Sequence, residues 1–569
     1  MPYIDWLGKK DVVNHHKKIP YKTIECKEEI GELDTQNMVI KGDNLLALKS
    51  LLPYYASSVK MIYIDPPYNT GNTSWVYNDN MDSPLMKKWL EKTVNAEDLS
   101  RSDKWLCMMY PRLKLLRELL KEDGVIFVSI DDAEVAHLRM ICDEIFGKDN
   151  FVTNFIWKKK GTSTNVEGVQ VSSLFDNTLC YAKDKSTNPI SRRVTLKENR
   201  LYTKSDYIGN FRTEIIEKKN SGEYQRDTMR FEILGQTPRN GKRWQIGEKT
   251  ARELELKDRF IIENGIIKLK IYDFEDKNTE SAQPNLLDNH GSTDTASKIL
   301  KDIFSKDGIF SNPKPIELIT HLVKLSTSKN DIILDSFAGS GTTAHAVLEQ
   351  NAIDGGNRKF ILIETMDYAK DITAERVKRV VEGYSFTGKA KTTLFEKKLT
   401  TTDILNAKKM QTLSDEAGKI IEQKSADFDK IEKSFSENSL KIDGVKDIKS
   451  FKEGLGGGFK YCELGSDIFD EVGELNKSLD FTQIAKHLYF VEFKQPIKKD
   501  EIREPYVGHL HNRHIYFFEK NFKTSDLKKI VQSNYKEIII YTKKTSISAD
   551  ELKKLHITVR YIPYDIKEN

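Results

Sequence analysis

The chain has 569 residues, of which 31% are charged and 10% aromatic, and its formal net charge at pH 7 is +4. This length exceeds what one hydrophobic core can serve, so several domains are expected. This net charge is too small for the electrostatic field of the whole molecule to attract nucleic acid. Any nucleic-acid binding must therefore come from locally basic surfaces. With no apolar stretch long enough to cross a bilayer and no leader after Met1, we expect a cytoplasmic protein without membrane contact.

The cysteines and the adjacent histidines His15 and His16 give no sign of a metal site. The cysteines are odd in number and lack CxxC or CxxH spacing, at Cys26, Cys107, Cys142, Cys180 and Cys462. We therefore expect neither a disulfide framework nor a zinc site, and a reducing compartment. No acidic or cysteine ligand pattern accompanies the histidines, so no metal is predicted.

The first part of the chain alternates short apolar runs with amphipathic stretches. The predicted strands are Met38–Ile40, Met61–Ile64, Val125–Ile130 and Asn177–Ala182, and the predicted helices are Leu106–Leu120 and Glu134–Phe146. Alternating strands and helices are typical of a parallel sheet covered on both faces. The fold class predicted here is α/β.

The middle of the chain, from about Asp184 to Asp302, breaks this rhythm with polar, basic and turn-rich sequence. It predicts an inserted domain of different architecture. Several of its side chains are of types that read base edges or neutralise phosphates, including Tyr224, Gln225, Arg226, Arg230, Arg239, Asn240, Lys242, Arg243, Trp244 and Gln245. The basic stretch Trp157–Lys160 at its edge is a further candidate for phosphate contact, or else a solvated face.

Strand and helix patterns of the first type resume after the insert, so the α/β domain is discontinuous in sequence. The predicted strands are Asp331–Asp335 and Lys359–Glu364, and the predicted helices are Pro315–Lys324, Thr342–Gln350 and Ile372–Glu382. From about residue 391 the composition changes again. We predict a further domain with strands at His487–Phe493, His514–Phe518, Glu537–Tyr541 and Thr558–Ile562 and a helix near Ser525–Gln532.

The tetrapeptide Asp65-Pro66-Pro67-Tyr68 follows the first buried strand run and predicts a base-binding site. The prolines make a rigid ledge, and Asp65 and the Pro66 carbonyl can each accept a hydrogen bond from an exocyclic amino group. Tyr68 can stack on the base, as enzymes that act on an extruded nucleobase require. Methylation of an amino nitrogen needs this alignment more than it needs a strong base.

The segment Phe337–Thr343 follows another buried strand and is rich in glycine. Such a turn lets the backbone approach a nucleoside-bearing cofactor, and it carries no phosphate-loop lysine, which favours S-adenosylmethionine over a nucleotide. Glu364, at the end of the next strand, is placed to bind two ribose hydroxyls. Asp43 either accepts from the cofactor's adenine amine or belongs to a simple turn.

These motifs resemble the amino-group DNA methyltransferases of the β class, in which the DPPY part precedes the target-recognition insert and the FxGxG part follows it. The chain looks most like the modification (Mod) subunits of Type III restriction-modification systems. The likeness rests on Trp6–Lys9, Asn14–His16, Asp65–Asn72, Tyr110–Arg112, Asp123–Asp132, Asn312–Pro315 and Tyr561–Asp565.

The resemblance implies a Rossmann-like, S-adenosylmethionine-dependent domain with circularly permuted motif order and N6 of adenine as the methylated atom. Asn312 and Lys314 would lie near the methionine end of the cofactor. Further cofactor contacts would come from Asp335, Phe337, Gly339, Gly341 and Glu364. It also implies double-stranded DNA with a specific short site, a homodimer, and a separate restriction (Res) helicase-nuclease subunit as partners.

The domain plan that follows has five parts. It comprises an N-terminal arm (1–35), the DPPY half of the methyltransferase domain (36–183), a target-recognition domain (184–302), the cofactor-binding half (303–390) and a C-terminal helical plus α/β assembly domain (391–569). Two alternatives stay open. The first is N4 methylation of cytosine, and the aspartate of the tetrapeptide favours adenine over it. The second is a catalytically silent specificity subunit, which would have no use for a cofactor pocket.

Overall fold

The computed structural model of the chain describes residues 4–69, 101–162, 170–220, 226–436, 438–469, 474–530 and 535–562. The predicted base-edge readers Tyr224 and Gln225 and most of the Tyr561–Asp565 motif lie outside these residues. The strands in chain order are β1 (Lys22–Gly31), β2 (Met38–Lys41), β3 (Val59–Ile64), β4 (Leu120–Ile130), β5 (Phe151–Lys158), β6 (Phe175–Ala182), β7 (Arg193–Thr195), β8 (Lys204–Ser205), β9 (Asn210–Ile215), β10 (Glu217–Lys219), β11 (Lys242–Trp244), β12 (Phe260–Glu263), β13 (Ile266–Tyr272), β14 (Thr279–Ser281), β15 (Leu286–Leu287), β16 (Ile332–Asp335), β17 (Lys359–Glu364), β18 (Gly383–Lys398), β19 (Lys430–Ser436), β20 (Ser439–Glu453), β21 (Gly458–Asp467), β22 (Tyr506–Leu510), β23 (Arg513–Phe518), β24 (Glu537–Thr542) and β25 (Ile557–Tyr561).

The α-helices are distributed between these strands. They span Lys9–Val12, His15–Lys18, Asn44–Tyr55, Arg101–Leu119, Val135–Phe146, Glu248–Leu256, Thr293–Phe304, Ile316–Ser326, Thr342–Asp354, Glu375–Glu382, Thr401–Ile404, Ala407–Lys424, Phe481–Phe493, Thr524–Ile530 and Ala549–Lys554. In the part of the chain that the structure describes, no helix is both long and apolar enough to cross a bilayer.

A ten-stranded sheet forms the centre of the larger of two compact units, with the strand order β1-β21-β2-β17-β16-β3-β4-β6-β5-β15. The six strands from β21 to β4 run parallel to their neighbours, and β1 and β6 pair with this block in the antiparallel sense. The prediction of an α/β fold is therefore confirmed.

Helices cover both faces of this sheet, because the side chains of its buried strands alternate between two hydrophobic cores. Ile62 and Ile64 of β3 belong to one core, with the helices Asn44–Tyr55, Arg101–Leu119 and Val135–Phe146. Met61 and Tyr63 belong to the other, with the helices Ile316–Ser326, Thr342–Asp354 and Glu375–Glu382. All six residues of β3 are buried, which explains the apolar run Met61–Ile64, and the buried Lys60 is paired with Asp123.

The sheet also takes strands from outside the segments predicted for the catalytic domain. β1 comes from the predicted N-terminal arm, and β21, from the predicted C-terminal domain, lies between β1 and β2. Sequence reasoning placed this strand with residues 391–569 in a separate domain, because nothing local reveals which distant strand a strand pairs with. The exact domain limits stay a prediction.

The expectation of no disulfide is wrong in this structure. Cys26 of β1 faces Cys462 of β21 in the antiparallel register, and the two are joined by a disulfide bond. Cysteine spacing does not reveal this pair, since it is created by strand pairing across 436 residues of sequence. The remaining cysteines are free and buried.

Residues 191–284 form the second compact unit, within the range predicted for the inserted domain. Its main sheet has the order β12-β13-β9-β8, and β10 and β11 form a separate antiparallel pair. Trp244, predicted as a possible base contact, is instead 1% exposed in the core of this unit and donates to the Phe231 carbonyl. Its role here is structural.

The C-terminal region carries a four-stranded sheet, β22-β23-β24-β25, in which the last three strands are parallel. The predicted strand His487–Phe493 is wrong, because this segment is the second half of the helix Phe481–Phe493. Asp480 and Gln483 form a capping box at its N-terminus, a local signal for a helix that the apolar run obscured. A three-stranded sheet, β18-β20-β19, precedes β21.

Candidate active site

A cavity of about 410 Å³ lies at the carboxyl ends of β3, β16 and β17. Because β16 pairs in parallel with both β3 and β17, the residues that end these strands meet at one edge of the sheet. The cavity is lined by most of the predicted site residues, namely Asp65, Pro67, Asn312, Lys314, Asp335, Phe337, Gly339 and Glu364. Two motifs far apart in sequence thus form one site.

The glycine-rich turn after β16 forms one wall of this cavity. Gly339 and Gly341 have φ angles of 53° and 77°, in the left-handed region that favours glycine. A Cβ at Gly339 would lie 3.1 Å from the Phe310 ring, and one at Gly341 would lie 3.1 Å from the Thr373 carbonyl oxygen. Gly341 itself does not line the cavity; it precedes the helix Thr342–Asp354 and sets the path of the turn.

Glu364 is 1% exposed at the end of β17. Its Oε2 accepts a hydrogen bond from the Gly339 amide at 2.7 Å, and its Oε1 accepts one from the Met366 amide at 2.9 Å. Burial raises the pKa of this carboxyl. The Thr365 amide and the Tyr368 hydroxyl also bond to this carboxylate, so a pair of ribose hydroxyls would compete with Tyr368 for its oxygens.

Asp335 lies between Glu364 and Asp65 at the end of the central strand β16. It accepts hydrogen bonds from the Phe337 amide at 3.0 Å and from the Thr343 hydroxyl at 2.5 Å. Burial raises its pKa to about 7, and the nearby charges of Asp65 and Glu364 act in the same direction. Asp335 therefore holds the turn in place and can be protonated near neutral pH.

Among the described residues, Lys314 and Tyr68 donate to the Asp65 carboxylate. Lys314 Nζ lies 2.6 Å from Oδ2, and the Tyr68 hydroxyl donates to Oδ1 at 2.8 Å. Lys314 Nζ also donates to the Tyr68 hydroxyl at 2.8 Å. Desolvation raises the pKa of Tyr68 well above its ordinary value, so its hydroxyl stays protonated as a donor. The three side chains form a closed triangle at the end of β3.

A second cavity, of about 430 Å³, opens on the other side of Asp65 and Lys314. Pro66 and Tyr68, which do not line the first cavity, line this one with Trp157 and Lys159. Lys159 Nζ donates to Asp176 at 2.7 Å, so this lysine of the predicted basic stretch neutralises a carboxylate. Asp65 thus belongs to the wall between two cavities and is accessible from both.

Asp43, predicted either to contact the cofactor or to belong to a turn, caps the helix Asn44–Tyr55 through a bond from the Leu46 amide to its Oδ1. It does not line the cavity at Glu364. Its neighbour Asn44 donates to the Ser336 carbonyl at 2.9 Å and accepts from Arg112. These bonds join the ends of β2 and β16, while a cofactor contact by Asp43 stays a prediction.

Several residues of the site escaped sequence reasoning. Phe310 and Tyr368 line the first cavity with their rings edge to face, 5.6 Å apart. Trp105 Nε1 donates to the Pro67 carbonyl at 2.7 Å and fixes the ledge. Arg376, 1% exposed, supports the glycine-rich turn from behind by donating to Ser340 and Thr342. Of these four residues, only Phe310 and Tyr368 could have been suggested by the sequence, because they stand close in sequence to the predicted site residues Asn312 and Glu364.

The profile of the DNA methylase family matches residues 59–375, which include both motifs. The chain is 36% identical over 390 residues to the StyLTI Mod subunit of Salmonella typhimurium strain LT2, covering 64% of this chain and 58% of that protein. It is 32% identical to the EcoPI Mod subunit of Escherichia phage P1, covering 70% and 69%. These two are named as Type III restriction-modification enzyme subunits, and the resemblance predicted from the sequence is confirmed.

Solved structures give a weaker likeness. A putative DNA modification methylase from Thermus thermophilus, complexed with S-adenosyl-L-methionine, has a TM-score of 0.30 at 15% identity over 61% of this chain and 94% of that one. The cytosine-N4-specific PvuII DNA methyltransferase has a TM-score of 0.31 at 14% identity, over 60% and 86%. At such TM-scores no conclusion is drawn from the likeness.

Proposed function

The chain belongs to the DNA methylase family, and from this premise we propose that it transfers a methyl group from S-adenosylmethionine to N6 of an adenine flipped out of duplex DNA. The observation that carries the proposal is the position of Asp65 between two cavities. One cavity has the groups that a nucleoside-bearing cofactor needs, and the other gives a flat base access to the same carboxylate.

The residues of the first cavity fit S-adenosylmethionine. Glu364 would hold the ribose hydroxyls, the rings of Phe310, Phe337 and Tyr368 supply apolar walls, and Lys314 supplies a cation for a carboxylate. The glycine-rich turn carries no phosphate-binding lysine, which agrees with a cofactor without phosphates. When bound, the cofactor supplies an electrophilic methyl group on a sulfonium.

At the base, Asp65 is proposed to accept a hydrogen bond from the exocyclic amine. This bond aims the nitrogen lone pair and stabilises the positive charge that develops on nitrogen, and the carboxylate is placed to take the proton that the amine loses. Lys314 and Tyr68 already donate to Asp65, each to a different oxygen, so an incoming amine shares an oxygen with one of them or replaces it. The Tyr68 ring is then available to stack on the base.

We propose further that the chain is the modification and specificity subunit of a Type III restriction-modification system in the cytoplasm. The support is its identity of 30–36% with three proteins named as Mod subunits, of whose lengths it spans 58–69%. In this proposal residues 191–284 contribute to reading a short DNA site, the chain forms a homodimer, and a separate Res subunit supplies the helicase and nuclease.

Labelled methyl transfer tests the proposed reaction. The chain is incubated with tritiated S-adenosylmethionine and long DNA of mixed sequence, and the DNA is digested to nucleosides. We expect label in N6-methyladenine, and at least a hundredfold loss for Asp65→Ala with DNA binding retained, because that variant lacks the group that aligns the amine. Asp371→Ala, which removes an exposed aspartate that lines neither cavity, serves as the control.

Undiminished methylation by Asp65→Ala would rule out this role of the carboxylate. Label in N4-methylcytosine would assign the alternative target within the same family. Absence of transfer by the unmodified chain, with DNA binding intact, would favour the silent specificity subunit.

A further inference from the structure

A third cavity, of about 470 Å³, lies at the opposite edge of the central sheet from the cofactor cavity. Its walls include Ala56 and Ser57, which precede β3, and Glu118, which precedes β4. Lys183, which follows the antiparallel strand β6, completes this edge. The cavity therefore lies at the amino ends of the parallel strands, where the proposed methyl transfer has no use for it.

The charged residues that line this cavity are mostly cationic. They are Lys17, Lys49, Arg117, Lys183 and Lys494, with Glu118 as the one carboxylate among them. Their formal charge of +4 equals that of the whole 569-residue chain. Because like charges at one site repel each other, such a concentration favours an anionic ligand.

Contacts within the chain offset part of this charge. Lys183 Nζ donates to the Leu120 carbonyl at 2.8 Å and lies 3.3 Å from Glu122. Lys49 and Lys494 lie over the rings of Tyr21 and Phe490, at 4.6 and 5.4 Å from the ring centroids. The helices Asn44–Tyr55 and Arg101–Leu119 also end here, and their C-terminal dipoles add partial negative charge. Among the described residues that line the cavity, cations outnumber carboxylates by five to one.

Two buried polar atoms of lining residues lack a hydrogen-bond partner, His16 Nδ1 and Arg117 Nε. His16 is 7% exposed. Burial, followed by the charges of Lys114, Lys49 and Lys17, lowers the pKa of His16 to about 4, so its imidazole is neutral at pH 7. Both atoms are shielded from solvent and therefore lie out of the reach of a ligand in the cavity, and the neutral His16 adds no charge to the lining cations.

We propose that this cavity binds a small anion that carries several phosphate groups, either a nucleotide or an inorganic polyphosphate. Its volume lies in the range of small-molecule sites, roughly 300–1,000 Å³. Several cations around one concave site match several linked phosphates better than a single carboxylate, and the Arg117 guanidinium and Ser57 hydroxyl are further donors to phosphate oxygens.

Calorimetric titration of the full chain with tripolyphosphate tests the proposal, since this probe has no base to enter the cofactor cavity. Lys17 and Lys494 are exposed, so Lys17→Gln combined with Lys494→Gln should spare the fold. We expect this double variant to bind about tenfold more weakly or worse, and Glu118→Gln to bind severalfold more tightly. Lys18→Gln removes an exposed neighbouring lysine that does not line the cavity, and should change affinity less than about twofold.

Competition by ATP, with S-adenosylhomocysteine at saturation to close the cofactor cavity, separates the two sources. Displacement of isotopically labelled tripolyphosphate by ATP at lower concentration than by unlabelled tripolyphosphate supports a nucleotide, and the reverse order supports inorganic polyphosphate. No binding of either, or equal binding by the double variant, overturns the proposal. The proposal is also overturned if the unmodified chain does not bind polyphosphate and the double variant loses binding to duplex DNA. That result would assign the lysines to DNA binding.

Discussion

At the scale of single residues, the site depends on one carboxylate with competing donors. Lys314 is 9% exposed in its side chain and Asp65 is 25% exposed, so their ion pair is partly shielded from water. An adenine amine and the Lys314 ammonium would both donate hydrogen bonds to the carboxylate oxygens of Asp65. A cofactor carboxylate close to Lys314 would offer this cation another partner, which would make binding of the cofactor favour binding of the base.

Lys314→Gln is predicted to weaken binding of S-adenosylmethionine by about tenfold, because a charge-assisted hydrogen bond to the cofactor's carboxylate is lost. Calorimetry on the chain without DNA measures this directly. Lys324→Gln, at an exposed position of the helix Ile316–Ser326, should leave the affinity unchanged. Equal affinity of Lys314→Gln and the unmodified chain would show that Lys314 acts on Asp65 alone.

Asp335 gives a prediction on pH. Its pKa is raised from 3.8 to about 7 in the folded chain, so between these values the folded state holds a proton that the unfolded state has lost. The contribution of Asp335 to the free energy of unfolding is therefore fully present below pH 3.8. It is lost as pH rises to about 7, by up to roughly 1.4 kcal/mol per pH unit. Asp335→Asn imitates the protonated form and removes this dependence.

Thermal unfolding midpoints at pH 5, 6, 7 and 8 are the measurement. The midpoint of Asp335→Asn, taken relative to that of the unmodified chain, is expected to rise between pH 5 and 7 and to level off above that. A constant difference across this range would mean that Asp335 is ionised throughout.

At the scale of elements, the helix Thr342–Asp354 offers a matched pair of glycines. Gly341 precedes it and Gly355 follows it, with φ angles of 77° and 64°. A Cβ at Gly355 meets nothing within 4 Å, whereas one at Gly341 lies 3.1 Å from the Thr373 carbonyl oxygen. Both alanine variants should lose about 1 kcal/mol of stability through backbone strain.

Only Gly341→Ala is predicted to weaken binding of S-adenosylmethionine as well, because its neighbours Ser340 and Thr342 line the cavity. Calorimetry with the cofactor, beside thermal unfolding of each variant, distinguishes the two effects. An equal loss of affinity in Gly355→Ala would show that the helix as a whole, rather than the turn, controls the cavity.

The sequence was sufficient for elements whose pattern is local. Buried apolar runs predicted the strands β3, β16 and β17. The polar residues that end these runs predicted the cavity, because parallel strands present their carboxyl ends at the same edge of a sheet. The place of β21 beside β2 and the bond between Cys26 and Cys462 were not predictable, since both depend on pairing across more than 400 residues. Trp105 and Arg376 were missed because their contacts with Pro67 and with the glycine-rich turn depend on tertiary packing, which no local pattern reveals.

At the scale of the whole molecule, the central sheet is built from three distant stretches of the chain. Because β21 lies between β1 and β2, a chain cut at residue 390 loses an inner strand, although the predicted domain plan places its boundary there. A chain that ends at residue 469 keeps β21 and loses the helix Phe481–Phe493 and the sheet β22–β25.

We predict that residues 1–469 fold and bind S-adenosylmethionine, with a lower midpoint of thermal unfolding because the packing of Tyr21 against His487 and Phe490 is lost. Residues 1–390 should show no cooperative unfolding transition. Circular dichroism and cofactor titration compare the two. Cooperative folding of the 1–390 chain would show that β21 is dispensable for the sheet.

The proposed function depends above all on whether the site at Asp65 methylates adenine in specific DNA sequences. Single-molecule sequencing of DNA from cells that express the chain, compared with cells that express Asp65→Ala, measures this in one step. We predict N6-methyladenine at one short recurring sequence with the unmodified chain and its absence with Asp65→Ala. Modified cytosines at that sequence, the same modified adenines in both samples, or no modification in either would contradict the proposal.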